Sequence, residues 1–451
     1  MDWITFFQKL DMWIWQPLFV VLVAIGLYLT WQLRGLQFRH MGYSLKLAFS
    51  RQSSQGAGDI SNFQALTTAL AATIGIGNIA GIATAITMGG LGALFWLWVT
   101  SLIGMAIKYA EAVLAIRYRT VDAKGEMAGG PMYYLRNGLG WKKMAFCFAL
   151  FGALTTIATG NIVQSNSIAL AISGYFSVPH WIIGFVLAVC TGAVLIGGIK
   201  WIGKVTAYFV PFMGIVYLGG CIIVLALRFA EIPHALSSIF VSAFTGQAAV
   251  GGFVGSTMLL AMQMGLARGV FSNESGLGSA PIAAAAAKTN YASHQALISM
   301  AGALMSTIVC TFTGLALAVC HVIGEVDGEG KLLNGAMMTV VAFERTFPFG
   351  GLLVIFSCIL FGLSTIIGWA YYGEKCCEYL LGARSVRFYR ILFTLSVWLG
   401  VAVPLEIVWP LADIANALMA LPNLLGVLAL TGVVCHETKV FLQSAKQVPT
   451  L

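Results

Sequence analysis

The sequence predicts an all-α polytopic membrane protein with about eleven transmembrane helices, one leading helix followed by two inverted sets of five. Three observations predict it. The chain is 59% hydrophobic and only 9% charged over 451 residues. Its apolar segments are joined by short loops whose lysines and arginines gather on one side. The opening segment of each five-helix set is interrupted at its centre by glycines and polar residues.

Soluble domains carry about 25% charged residues, so this composition leaves little soluble mass and makes the lipid bilayer the expected surroundings. The net charge of +8 is spread through short loops, with no basic stripe interleaved with aromatics, which argues against a nucleic-acid partner. The nine cysteines show neither CxxC nor Cys/His ligand spacing and read as small buried residues. Lys9 and Asp11 precede a full-length span, so no cleavable signal is expected.

Taken in order, the apolar segments cover 15–33, 62–88, 91–116, 144–172, 181–199, 205–227, 250–284, 294–322, 349–381, 388–404 and 407–435. A helix needs roughly 20 apolar residues to cross a bilayer. The last segment reads as one kinked span or two half-spans, because Pro410 and Pro422 interrupt it. With the N-terminus outside and the C-terminus inside, nineteen of the 25 lysines and arginines face the cytoplasm, among them Arg34, Arg117, Arg119, Lys375, Arg384 and Arg390. Lys9, Arg228, Lys331 and Arg345 fall outside, where the loop 323–348 also carries Glu325, Asp327, Glu329 and Glu344. The expected division is a leading helix and connection over 1–61, a first repeat over 62–228 and an external connection over 229–249. An inverted second repeat over 250–440 and a cytoplasmic tail over 441–451 complete it.

The breaks carry the functional signal. In the first, Ala71-Ala72-Thr73-Ile74-Gly75-Ile76-Gly77-Asn78-Ile79-Ala80-Gly81, glycine costs a helix interior about 1 kcal/mol relative to alanine. Unwinding at membrane depth is tolerated only where the freed backbone meets protein, water or ligand. The second break, Gly265 to Gly278, opens the inverted set. Two such breaks at matching positions of inverted halves point to an alternating-access transporter with its site at the midplane. The competing reading of the first is close helix packing through Gly77 and Gly81.

Three stretches then resemble a known family, the alanine or glycine:cation symporters, sodium-coupled amino-acid carriers of prokaryotes. They are Thr67 to Gly81, Gly129-Gly130-Pro131-Met132-Tyr133-Tyr134, and Gly269-Val270-Phe271-Ser272-Asn273-Glu274-Ser275-Gly276-Leu277-Gly278-Ser279-Ala280. The resemblance spans nearly the whole chain. It implies the leucine-transporter fold, an inverted 5+5 repeat with one extra helix, in the inner (cytoplasmic) membrane of a prokaryotic cell. It implies sodium as the coupling ion, alanine or glycine as the amino acid, and no organic cofactor.

An amino-acid carboxylate is met at half-helix N-termini, which offer unpaired N–H groups and partial positive charge. Thr73, Gly75, Gly77 and Asn78 in the first break, and Ser272 and Asn273 in the second, are the expected substrate contacts, with Asn273 also accepting from the ammonium. In Thr159-Gly160-Asn161-Ile162-Val163-Gln164-Ser165-Asn166 the amides suit either interhelical hydrogen bonds or a site; the resemblance turns Gln164 toward substrate. Phe271 and Trp369 are expected as lid and wall leaving room for a small side chain, with Met264 adding to that wall. By the same resemblance, sodium would meet the carbonyls of Ala71, Ile74 and Phe361 and the hydroxyls of Ser364 and Thr365. The alternative for those hydroxyls is back-bonding to the carbonyl one turn earlier.

Lys108 and Glu111, three residues apart on one helix, are expected to pair. Arg268 and Glu274 flank the second break, and Asp413 lies in the last segment; through Glu274 or Asp413, proton coupling is the rival to sodium coupling. No HExxH, nucleophile-elbow or GxxxxGK[ST] sequence is present, so an enzyme and a nucleotide-driven pump are not supported. A channel would favour symmetric pore-lining repeats, not inverted ones with paired breaks.

Overall fold

The computed structural model describes residues 3–50, 56–245, 257–326, 330, 332–403 and 405–447. Residues 250–256 of the seventh expected segment, Pro404, the expected loop charges Arg51, Asp327, Glu329 and Lys331, and the end of the tail from 448 lie outside the described residues.

The leading helix α1 (Trp3–Gln32) buries Leu18, Leu22, Ile25 and Leu29, one stripe at helical spacing, and leaves Trp13, Val20, Leu27 and Trp31 exposed on the other side. Two short helices follow, α2 (Leu36–Arg39) and α3 (Met41–Phe49). The first break divides a bent pair, α4 (Asn62–Thr73) and α5 (Ala80–Gly89). Ser61 and Gln64 start α4 with a reciprocal capping box, Gln64 N–H to Ser61 Oγ at 3.1 Å and Ser61 N–H to Gln64 Oε1 at 3.0 Å. The long α6 (Gly92–Arg117) leads to a hairpin of β1 (Thr120–Val121) and β2 (Met127–Ala128), then to α7 (Pro131–Leu139). Helices α8 (Lys142–Ile157) and α9 (Val163–Phe176) form one rod joined by a wide π-turn over Ala158–Ile162. The set ends with α10 (His180–Leu195) and α11 (Gly198–Leu227), and α12 (Ile232–Thr245) follows.

The second set opens on α13 (Met258–Asn273) and the short α14 (Ala280–Ala285). It continues through α15 (Ala292–Val319), α16 (Gly335–Glu344), α17 (Gly350–Leu381), α18 (Ser385–Gly400) and α19 (Leu405–Ala429), before α20 (Thr431–Gln447). Pro410 and Pro422 therefore lie inside one continuous helix, and the apolar stretch beyond 430 belongs to a separate one.

Seven helices among the described residues are long and apolar enough to cross a membrane, and the pair α4–α5, bent by 62°, makes an eighth span. The remaining three expected segments are the second broken pair and the 16-residue helices α10 and α18. α6 packs along α13 and α15, and α17 lies against α4, α8 and α11. This brings both breaks and the middle of α17 together. α1 rests on α6 and α19.

The loop hairpin is tied to α17. Lys375, reckoned from the sequence as a loop charge, lies inside α17 and is buried, its Nζ 2.6 Å from Asp122, 3.0 Å from Glu378 and 3.3 Å from Glu126. Burial pushes the Asp122 carboxyl up, but the Lys375 ammonium and the N–H groups of Glu126 and Lys124 outweigh it and hold the carboxyl below its ordinary value. Beside it, Arg119 donates to the carbonyls of Ala57, Ala285, Ala287 and Thr289, fastening the loop face of α14.

Candidate functional site

The first break begins where α4 stops at Thr73. Ile74 leaves helical geometry (φ −89°, ψ 89°), Gly75 is extended, and a single 3₁₀ turn over Ile76–Asn78 precedes α5. Side chains take up the freed backbone donors, as burial requires. Asn78 Oδ1 accepts from Gly75 N–H at 3.1 Å, and Gln164 Oε1 accepts from Ile76 N–H at 3.2 Å. Asn78 is itself anchored by donating to Ser306 Oγ at 2.9 Å and to Cys310 Sγ at 3.2 Å. Gly77 admits no side chain without displacement, since a Cβ would stand 3.1 Å from the Phe271 ring.

α17 meets the end of α4 with oxygens. Thr365 donates to Ala71 O at 3.0 Å and Ser364 to the same carbonyl at 3.3 Å, while Ser364 also reaches Phe361 O at 2.9 Å. The expected back-bond of Ser364 is present, yet both hydroxyls still converge on one carbonyl across the helix interface. Four oxygens thus gather where a hard cation is readily held by carbonyls and hydroxyls. One turn on, Trp369 donates its indole N–H to Ala72 O at 3.2 Å.

A small cavity lies between the breaks. Thr73, Gly75, Gly77, Asn78, Gln164, Phe271 and Trp369 of the expected substrate contacts line it, joined by Ala72, Thr159, Thr365 and Glu274. Its free volume, about 10 Å³, is the room of one water, so taking in even a small zwitterion requires its walls to part.

Three expected contacts fall elsewhere. Met264 packs on Gly89 near the far end of α5, about two turns before Phe271, because the wall at the break is built by residues closer to it. Asn273 turns to the opposite side of α13, donating to Ser101 Oγ at 2.6 Å and accepting from Thr307 at 3.3 Å. Ser272 is buried outside the cavity lining, its carbonyl accepting from Ser306 Oγ at 2.5 Å. The cause is shared: α13 remains helical through Asn273, so the chain turns into the cavity only at the next residue.

That residue is Glu274, at φ 50°, with Gly276 (φ 89°) and Gly278 (φ 78°) completing a left-handed run before α14. Around it stands a buried polar network. Lys108 and Glu111 do not pair with each other. Lys108 Nζ donates to Asn273 O at 2.5 Å, and Glu111 Oε1 accepts from Gly278 N–H at 3.1 Å and from Asn423 Nδ2 at 2.5 Å. Asn423 also donates to Gly276 O at 2.8 Å and accepts from Tyr134 OH. Asn423 carried no sequence signal beyond being an amide in an apolar helix. Arg268 stands over the rings of Phe271 and Trp409, 5.6 and 5.0 Å from their centroids. Asn161 and Asn166 serve structure, donating to Phe393 O and Val403 O.

Two interrupted helices facing across a small cavity, with an oxygen cluster at one corner, fit a multi-pass secondary transporter. The chain belongs to the Sodium:alanine symporter family, whose model matches residues 1–450. It is 49% identical over 456 residues to a protein named sodium/alanine symporter AgcS from Methanococcus maripaludis, covering 99% of both chains. Among solved structures its fold is similar to that of MhsT in complex with L-phenylalanine, at TM-score 0.59 and 16% identity, covering 84% of this chain and 89% of the other. A Na+-coupled sialic acid symporter shares the fold at TM-score 0.53 and 14% identity, over 95% of this chain and 85% of the other. The leucine-transporter fold is thus the fold of this chain, which is a transporter and not an enzyme.

Proposed function

We propose that the protein carries alanine or glycine into the cytoplasm together with sodium by alternating access, from the inner membrane of a prokaryotic cell with its N-terminus outside. The observation that carries this reading is the convergence of Ser364 and Thr365 on Ala71 O beside a cavity walled by Phe271 and Trp369. Sodium enters as cargo, bound by the carbonyls of Ala71, Ile74 and Phe361 and the two hydroxyls. Its charge draws the end of α4 and the middle of α17 together and completes one wall of the amino-acid site. The substrate carboxylate takes the amides of the first break, displacing Gln164 from Ile76 N–H. The bulk of Phe271 against Gly77, and of Trp369, leaves space for hydrogen or methyl as the side chain. The two repeats run over 62–228 and 250–440, with 229–249 joining them, and a bundle rocks against its scaffold to expose the site to the cytoplasm.

The test is uptake of labelled alanine by proteoliposomes under an imposed sodium gradient or an imposed proton gradient. Uptake driven by sodium alone is the expected result. Uptake driven by protons alone would overturn the sodium reading, and no uptake under either would overturn the substrate.

A further inference from the structure

The second break brings a carboxylate into the cavity, and no partner in the fold uses it fully. Glu274 is 1% exposed and lines the cavity. Its Oε2 accepts from Ser279 Oγ at 2.9 Å, whereas Oε1 accepts no hydrogen bond. The Trp369 indole is beside it, but its N–H is committed to Ala72 O. Lys108 supplies positive charge nearby, yet its Nζ is given to Asn273 O and forms no ion pair with Glu274. The other carboxylate of this region, Glu111, is turned onto Gly278 N–H and Asn423. A buried carboxylate oxygen without a donor is costly unless a ligand supplies one. The position is strained as well, since a residue with a β-carbon is held in left-handed geometry.

The other polar groups facing the cavity are neutral and already engaged. Gln164 Oε1 accepts from Ile76 N–H, and Thr159 Oγ1 accepts from Asn416 at 3.0 Å. The cavity is therefore asymmetric, with backbone N–H groups at the first break and a carboxyl group with one unpartnered oxygen at the second. A zwitterion fits that asymmetry in one orientation only.

We infer that Glu274 binds the α-ammonium group of the substrate, its free Oε1 accepting one of the three ammonium protons while the substrate carboxylate lies at the first break. The inference rests on the amino-acid reading above and extends it to a ligand class. The site demands a cationic amine beside the carboxylate, and it rejects 2-hydroxy acids and simple carboxylic acids of the same size. A charge-assisted hydrogen bond in a small cavity is the means of that rejection.

The test is competition for labelled alanine binding to the full-length protein in sodium, with alanine, lactate and propionate as competitors. Wild type is measured first. Failure to bind alanine at all would sink the amino-acid reading and this inference with it. Given binding, the wild type is expected to prefer alanine to lactate by a wide margin. Glu274→Gln keeps size and removes charge, and it should weaken alanine at least about tenfold while lactate changes little, so the preference collapses. Glu274→Asp keeps the charge at shorter reach and should weaken alanine more than lactate, with part of the preference retained. An alanine-to-lactate ratio unchanged in both variants overturns the assignment. So does a shift in sodium half-saturation at constant ratio, which would place Glu274 at the ion instead.

Discussion

The two breaks occupy matching places in the chain and are built from opposite chemistry. The first is neutral: its freed amides are capped by the side-chain oxygens of Asn78 and Gln164, and the carbonyl of Ala71 is met by hydroxyls. The second is lined by ionisable side chains, with Glu274 inside it and Lys108 and Glu111 reaching it from α6. The first also bends, by 62° with a 3₁₀ turn, whereas the second reverses hand at three residues out of five. The difference teaches that a broken helix can be held open in two ways. Amide and hydroxyl caps leave a surface that a small ion or carboxylate can enter by replacing one hydrogen bond. Buried ionisable groups fix the backbone more firmly, because removing any one strands its partner.

The largest expected effect breaks this comparison from the ionisable side. Lys108→Met removes the hydrogen bond to Asn273 O at the end of α13 and leaves that buried carbonyl without a donor, which should cost about 1–3 kcal/mol, read as a clear fall in Tm. An unchanged Tm would mean that the second break does not depend on Lys108. Next comes the neutral side. Ser364→Ala with Thr365→Ala removes two oxygens of about 1 kcal/mol each, so sodium half-saturation should rise about ten- to thirtyfold with the fold intact. Sodium activation equal to wild type would separate those hydroxyls from the ion.

A smaller effect sharpens the size limit. Phe271→Ala withdraws the ring from Gly77 and should admit serine and valine as competitors of alanine uptake, with a severalfold weaker hold on alanine itself. Unaltered selectivity would show that the ring does not bound the substrate side chain. The smallest lies at the loop hairpin. The Asp122 carboxyl is held below its ordinary value, so its contribution is complete above the unfolded value of about 3.9 and is lost as pH falls through the folded one. The Tm gap between wild type and Asp122→Asn should therefore be constant from neutral pH to about 5 and close in stronger acid. A gap that persists there would assign the loss to packing.

Much of this was legible in the sequence because it depends on composition and on spacing along one element. Glycines in an apolar run marked the first break, whereas Ser364 and Thr365 were pointed to by the family resemblance and not by their spacing. What was not legible depends on where a helix ends to the nearest residue. Reading the second break as open from Gly265 to Gly278 made Asn273 a ligand, but the helix runs on through Asn273, which turns it toward α6 and α15 and leaves the cavity to Glu274. Met264 misses the wall for a different reason: it shares a face with Phe271 but stands about two turns away along α13, against Gly89. Lys108 and Glu111 share a helix face, as their spacing required, but that face is packed against the second break, and each finds a better partner there than the other.

α17 has a mechanical consequence. It is a single uninterrupted helix of 32 residues, with Thr365 and Trp369 on the cavity and Lys375 reaching Asp122 of the hairpin. Ten residues separate Thr365 from Lys375, about 15 Å of stiff rod. A tilt that slackens the grip of the hydroxyls on Ala71 must swing Lys375 against Asp122 in the same stroke, as one end of an oar moves with the other. On the proposed sodium site, ion release and loosening of the hairpin are then not two events to be synchronised but two readings of one displacement.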